Sequence, residues 1–164
     1  TASKESPMEI ILILFNLIAF GLIVYNWLAY RKNIVHEALT RPWIISQIIA
    51  FILCCFLLFK ISQGMPNYIT YLTLIMVIFL FLSQSLSKGV SKTDFAVFNG
   101  MLGIMIRRPF PTVQKVVITQ DESRGQLKLL GKSDKHYFEQ TYRLKDQTDL
   151  VQLLGSVNIK IEYR

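Results

Sequence analysis

The sequence predicts a membrane α-helical protein with three transmembrane helices, followed by a small α+β cytoplasmic domain of antiparallel strands closed by a C-terminal helix. Three observations predict it. The chain of 164 residues is 52% hydrophobic and only 18% charged, where a soluble domain averages about 25% charged. Its apolar residues are gathered into three long runs in the first half. Its net charge of +7 falls almost entirely in the polar loops and the second half. This composition excludes a disordered chain, a disulfide-built mini-protein and a wholly soluble enzyme domain.

The first run, Ile10 to Tyr30, holds no charged residue. The second runs from Trp43 to Phe59 and the third from Ile61 to Ser87. An α-helix rises about 1.5 Å per residue, so about 20 residues cross a hydrocarbon core of roughly 30 Å. The expected helices are 9–30, 43–61 and 68–87, within a membrane region of residues 1–87. The first is read as a retained helix and not a cleaved signal. Its apolar stretch is too long, Glu5 and Glu9 precede it, and no small-x-small site follows.

Loop charge sets the orientation. Arg31, Lys32 and Arg41 stand against Glu37 in the first loop, and everything after Lys88 is polar. On the opposite side Lys4 and Lys60 balance Glu5 and Glu9, so the whole +7 lies on one side. Cytoplasmic loops are rich in Lys and Arg. The expectation is therefore a plasma-membrane protein with its N-terminus and the Gly64–Asn67 turn outside and its C-terminal domain in the cytoplasm. Trp27, Tyr30, Trp43, Tyr68 and Tyr71 sit where aromatic residues meet headgroups.

Within the spans, no Asp, Glu, Lys or Arg lies mid-membrane, which argues against an ion path of the chain's own. The polar residues deepest in the spans are Asn16 and Gln47, the candidates for helix–helix packing. Cys54 and Cys55 are adjacent and intramembrane, and are expected to pack as small apolar residues.

Residues 88–94 read as a polar linker, and 95–164 as the cytoplasmic domain. Phe95–Phe98 and Met101–Ile106 flank Asn99-Gly100, the strongest short hairpin signal. The Pro109-Phe110-Pro111 break implies that Arg107 and Arg108 lie in an edge or loop and not in a regular strand. Strands are expected over Val113–Gln120, Gln126–Leu130 and Tyr137–Leu144, the last with Phe138, Tyr142 and Leu144 on one face. Asp146 can cap a helix carrying Leu150, Val151, Leu153 and Leu154, with Gly155 as its stop. A last strand is expected at Val157–Tyr163. About 70 residues make a marginal independent core, so the domain is expected to lean on membrane or partner.

The stretch from Asn99-Gly100 through RRPFPTVQKVVITQ, with the helix DQTDLVQLLG, resembles the pleckstrin-homology-like (PH-like) domains that follow transmembrane helices in small bacterial membrane proteins. The resemblance covers 95–164. It implies a binding or assembly module and not an enzyme.

No catalytic motif is present, and two histidines, His36 and His136, without spaced cysteines do not make a zinc site. No cofactor or metal is expected. The strongest chemical signal is basic: Arg31, Lys32, Arg41, Lys88, Lys92, Arg107 and Arg108 are the candidates for membrane-surface or partner contact. Anionic phospholipid attracts such residues by about 1 kcal/mol each. Nucleic acid is not expected, for want of a stacking platform. Two functions fit. One is a non-catalytic accessory or assembly subunit bound to a larger integral membrane protein or to its own copies. The other is a membrane-resident immunity protein that binds a toxin or receptor channel.

Overall fold

The computed structural model describes residues 6–63, 67–99 and 104–164. In chain order the elements are α1 (Pro7–Lys32), β1 (Val35–His36), α2 (Arg41–Ile61), α3 (Tyr68–Leu86), β2 (Gly89–Val90), β3 (Asp94–Asn99) and β4 (Ile104–Pro109). Then come β5 (Val113–Asp121), β6 (Gln126–Ser133), β7 (Tyr137–Arg143), α4 (Gln147–Ser156) and β8 (Lys160–Tyr163). The chain forms two compact units. One takes the residues up to Trp27 with Arg41–Ser85, and the other takes Leu28–Thr40 with Leu86–Arg164.

The first unit is helical. Its three helices, of 26, 21 and 19 residues, are each long and apolar enough to cross a membrane. Local chemistry sets their starts. At α1, Ser6 Oγ accepts the Glu9 N–H (3.3 Å) while Glu9 Oε2 accepts the Ser6 N–H (3.1 Å), a reciprocal cap on two orphan donors. Pro42 sits in the first turn of α2, where a missing N–H costs nothing. Asn67 Oδ1 accepts the Thr70 N–H at 3.1 Å and so caps α3. The Gly64–Pro66 part of the expected turn lies outside the described residues.

Helices α1 and α3 are tied by a ladder of polar contacts. Asn67 Nδ2 donates to Glu9 Oε1 (3.3 Å), Asn16 Nδ2 to Thr73 Oγ1 (2.8 Å) and Asn26 Nδ2 to Ser83 Oγ (3.1 Å). The sequence offsets are 58, 57 and 57 residues. A constant offset over some 17 residues of helix, about 25 Å, requires the two helices to run parallel in fixed register. The start of α1 and the start of α3 therefore share one end of the unit. α2 joins α3 through Trp43 Nε1, which donates to Ser85 Oγ at 2.9 Å, and through the Phe51–Phe81 edge contact at 6.5 Å. Leu58 is the buried residue of α2.

The second unit holds two four-stranded sheets, ordered β1-β2-β3-β4 and β7-β6-β5-β8. β5 pairs β8 in parallel, and the other pairings are antiparallel. One core lies among them: Val35, Val90, Phe95, Val116, Ile118, Leu127, Leu129, Phe138 and Tyr142 pack with Leu150 and Leu154 of α4. The stripe of α4 thus buries its leucines as its 3.6-residue period requires.

Several expectations are corrected. Residues 88–94 are not a linker. They hold β2 and a turn in which the Ser91 N–H reaches Asp94 O (2.9 Å) and Ser91 Oγ reaches Asp94 Oδ1 (2.9 Å). The first loop is not free either. The Ile34 N–H donates to Val90 O (2.8 Å), the Glu37 N–H to Lys88 O (3.0 Å) and the Ala38 N–H to Thr141 O (2.7 Å). These segments add β1, β2, Val35 and Val90 to a core that residues 95–164 would otherwise build alone. Arg107 and Arg108 lie at a sheet edge, as expected, but in a regular strand: in β4, the outer strand of its sheet, they stand opposite Ala96 and Phe95. The prolines mark only its end and the 3-10 turn at Phe110–Thr112. Asn99 ends β3, and the Gly100 half of the expected turn lies outside the described residues. α4 starts at Gln147 without a side-chain cap from Asp146, and passes through Gly155 to Ser156. The left-handed residue after it is Asn158, at φ 59°. β8 follows α4, so the helix is not the last element.

Two glycines are required by close approach. Gly131 faces Phe138 across β6–β7, and a Cβ there would stand 2.1 Å from the ring. Gly89 faces His36 across β1–β2, and a Cβ there would stand 2.3 Å from Val35 O.

Candidate functional site

The intramembrane candidates have different surroundings. Asn16 is 9% exposed and spends both amide hydrogens, on Leu12 O (2.9 Å) and Thr73 Oγ1 (2.8 Å). Leu12 O can only accept, so the amide orientation is fixed and Oδ1 is the free end. That oxygen is buried and has no donor among the described residues. Gln47, half-buried on α2, likewise has a buried Oε1 with no donor among them. An amide oxygen without a donor in an apolar setting costs free energy that a neighbouring helix can remove. Cys54 and Cys55 are free thiols.

The seven basic candidates divide by structure. Arg31, Arg41 and Lys92 are exposed. Lys32 and Arg107 converge on Asp94: Lys32 Nζ lies 3.0 Å from Oδ2 and Arg107 Nη1 3.2 Å from Oδ1. Asp94 is 6% exposed. Burial alone would push its carboxyl up, but hydrogen bonds from Lys32 and Ser91 and the charges of Arg107 and Lys32 outweigh it and hold the carboxyl below its ordinary value. This node ties the last turn of α1 to β3 and β4.

Lys88 is the clearest correction. It is not a surface contact: its side chain is 6% exposed and faces Glu37, 11% exposed, at 3.6 Å. Glu37 Oε1 also accepts the Thr141 N–H at 3.2 Å. Burial raises the Glu37 carboxyl and lowers the Lys88 ammonium, each opposed in part by the other's charge. Both shifts point the same way, toward neutral forms, as desolvation of a pair dictates. Beside it, Tyr142 OH donates to Gln140 Oε1, and Gln140 Nε2 donates to Ala96 O at 2.8 Å. Gln140 thereby links β7 of one sheet to β3 of the other.

The sequence missed these partnerships. Phe138 and Tyr142 share a buried face as the alternation expects, but the opposite face of β7 is covered as well: Thr141 is buried beneath residues 37–38 of the first loop. The one signal was Glu37, a lone acid in a basic loop. Arg108 is half-buried in β4, and its side chain makes no ion pair or hydrogen bond among the described residues. No group of three or more His, Cys, Asp or Glu is placed to hold a metal ion among the described residues.

No family model, curated protein or solved structure matches the chain.

Proposed function

We propose that the protein is a non-catalytic assembly subunit of a larger complex in the cell membrane. It crosses that membrane three times with its N-terminus outside, and carries its second unit in the cytoplasm as a PH-like interaction domain. The observation that carries this reading is the pair of donorless amide oxygens, Asn16 Oδ1 and Gln47 Oε1, on helices whose outer faces are otherwise apolar. Apolar faces alone are satisfied by lipid, but a buried amide oxygen is not. Both oxygens are covered within the single chain, so a further transmembrane helix bearing a hydroxyl, amide or indole donor, from a larger protein or from another copy, reaches them by re-packing against α1 and α2.

The orientation is supported by the basic residues, with Arg31, Arg41 and Lys92 exposed to meet anionic phospholipid on the cytoplasmic face. The PH-like reading draws on the six strands β2 to β7 that lead into α4; β1, which enters from before α2, and β8, parallel to β5, depart from a simple meander. Native mass spectrometry of gently solubilised membranes tests the assembly. The 19.0 kDa chain is expected within a heavier particle, and Gln47→Leu, which removes no described bond, should release it. A wild-type chain found only by itself would refute the reading.

A further inference from the structure

Beyond the helices, β8 is the outer strand of the sheet β7-β6-β5-β8. It pairs β5 in parallel, with Lys160, Ile161, Glu162 and Tyr163 opposite Lys115, Val116, Val117 and Ile118. The Arg164 N–H continues the ladder by donating to Ile118 O at 3.0 Å. Backbone groups alternate in direction along a strand, so those of Lys160, Glu162 and Arg164 turn toward β5. The N–H and C=O groups of Ile161 and Tyr163 point the other way and have no backbone partner among the described residues. Such an edge is a template for another strand.

The side chains select which strand. Lys160 and Glu162 lie on one face, where Glu162 Oε1 meets Lys160 Nζ at 3.1 Å and Oε2 meets Lys115 Nζ at 3.0 Å. Ile161 lies on the other face and packs against the core. We infer that β8 pairs antiparallel with β8 of a second copy, about a two-fold axis at Ile161. In that register the free N–H and C=O of Ile161 exchange bonds with the same groups of the copy's Ile161. Lys160 stands directly opposite Glu162 of the copy, and Glu162 opposite its Lys160, in the non-hydrogen-bonded pairing where side chains come closest. Moving the axis by one residue sets Glu162 against Glu162 or Lys160 against Lys160, and like charges directly opposite are destabilising. An edge of one sign would refuse its own copy, whereas the alternation of sign here admits one register and rejects its neighbours. The two four-stranded sheets join into one continuous sheet. A strand of 4 residues makes a weak contact by itself, and confinement of both copies to one bilayer raises their effective concentration. The contact uses no residue of the helices, so it stands or falls independently of an assembly through Asn16 and Gln47.

Disulfide trapping and charge exchange test it on the full chain in phosphatidylcholine vesicles, with Cys54→Ala and Cys55→Ala in every sample. In the first arm two populations of different tag length carry Lys160→Cys and Glu162→Cys. The register puts these positions opposite each other, with Cα atoms about 4.5 Å apart, within reach of a disulfide. Mild oxidation of the mixture should give mixed-tag dimers, with same-tag dimers only a minor product. In the second arm donor and acceptor dyes are carried on Lys135→Cys, at an exposed turn, and energy transfer reports association. Lys160→Glu and Glu162→Lys each set like charges opposite and should each weaken self-association by about tenfold. Mixing the two variants sets opposite charges at every position and should restore energy transfer, which a misfolded variant could not do. No mixed-tag dimer, same-tag dimers in equal yield, energy transfer that neither charge variant changes, or no recovery on mixing would each overturn the inference.

Discussion

Replacing Lys88 by Met should destabilise the second unit strongly at neutral pH and weakly in mild acid. The Lys88 and Glu37 side chains are 6% and 11% exposed and 3.6 Å apart, so Met leaves the Glu37 carboxylate buried with the Thr141 N–H as its remaining described donor. Breaking such a pair costs about 3–5 kcal/mol. Protonation sets a ceiling. At 1.36 kcal/mol per pH unit and an unfolded Glu pKa near 4.3, neutralising the acid costs about 3.7 kcal/mol at pH 7 and about 1 kcal/mol at pH 5. The sign follows from linkage. The folded carboxyl is raised above its unfolded value, so the unfolded state binds fewer protons, and stability in the variant falls as pH rises through the range above pH 4. The double variant Glu37→Gln, Lys88→Met keeps an acceptor for Thr141 and has no buried charge. It should recover to within about 1 kcal/mol of the wild type and lose this pH dependence. Hydrogen exchange of the full chain in detergent, read at the amides of β2 and β7, reports the opening free energy. A Lys88→Met loss below about 1 kcal/mol that does not change with pH would refute the argument, because it would mean that water reaches the pair.

Two further outcomes follow from the same unit. Asp94→Asn should cost about 1–3 kcal/mol by releasing Lys32 and Arg107. The wild type should lose that contribution progressively as pH falls from the ordinary carboxyl range, where the unfolded carboxyl takes its proton, through the lowered Asp94 value. An acid-unfolding curve compared between the two should converge at low pH and separate above it. Gly131→Ala drives a methyl group into the Phe138 ring and should lower stability by about 1–3 kcal/mol, with Gly131→Ala, Phe138→Leu recovering part of it. Thermal unfolding followed by tyrosine fluorescence checks this, and an unchanged midpoint in the single variant would contradict the close approach.

Much of this architecture is written locally. The three helices follow from uncharged runs long enough to span a bilayer, and their starts from Ser6, Pro42 and Asn67 in the chain. The strands β5 to β7 and the stripe of α4 follow from periods of two and of 3.6, because each is a property of consecutive residues. The two-residue strands β1 and β2 are too short to carry a period, and Pro109 masked the strand character of β4 although it sits only at its end. What the tertiary structure alone decided is partnership between distant segments. Glu37 with Lys88 and Asp94 with Lys32 join residues more than fifty positions apart, and Asp94 with Arg107 joins residues of two neighbouring strands. A charged residue looks the same in sequence whether it faces water, lipid or a buried counter-charge. The long-range fold determines which, and it turned Lys88 from an expected surface contact into a buried member of the core.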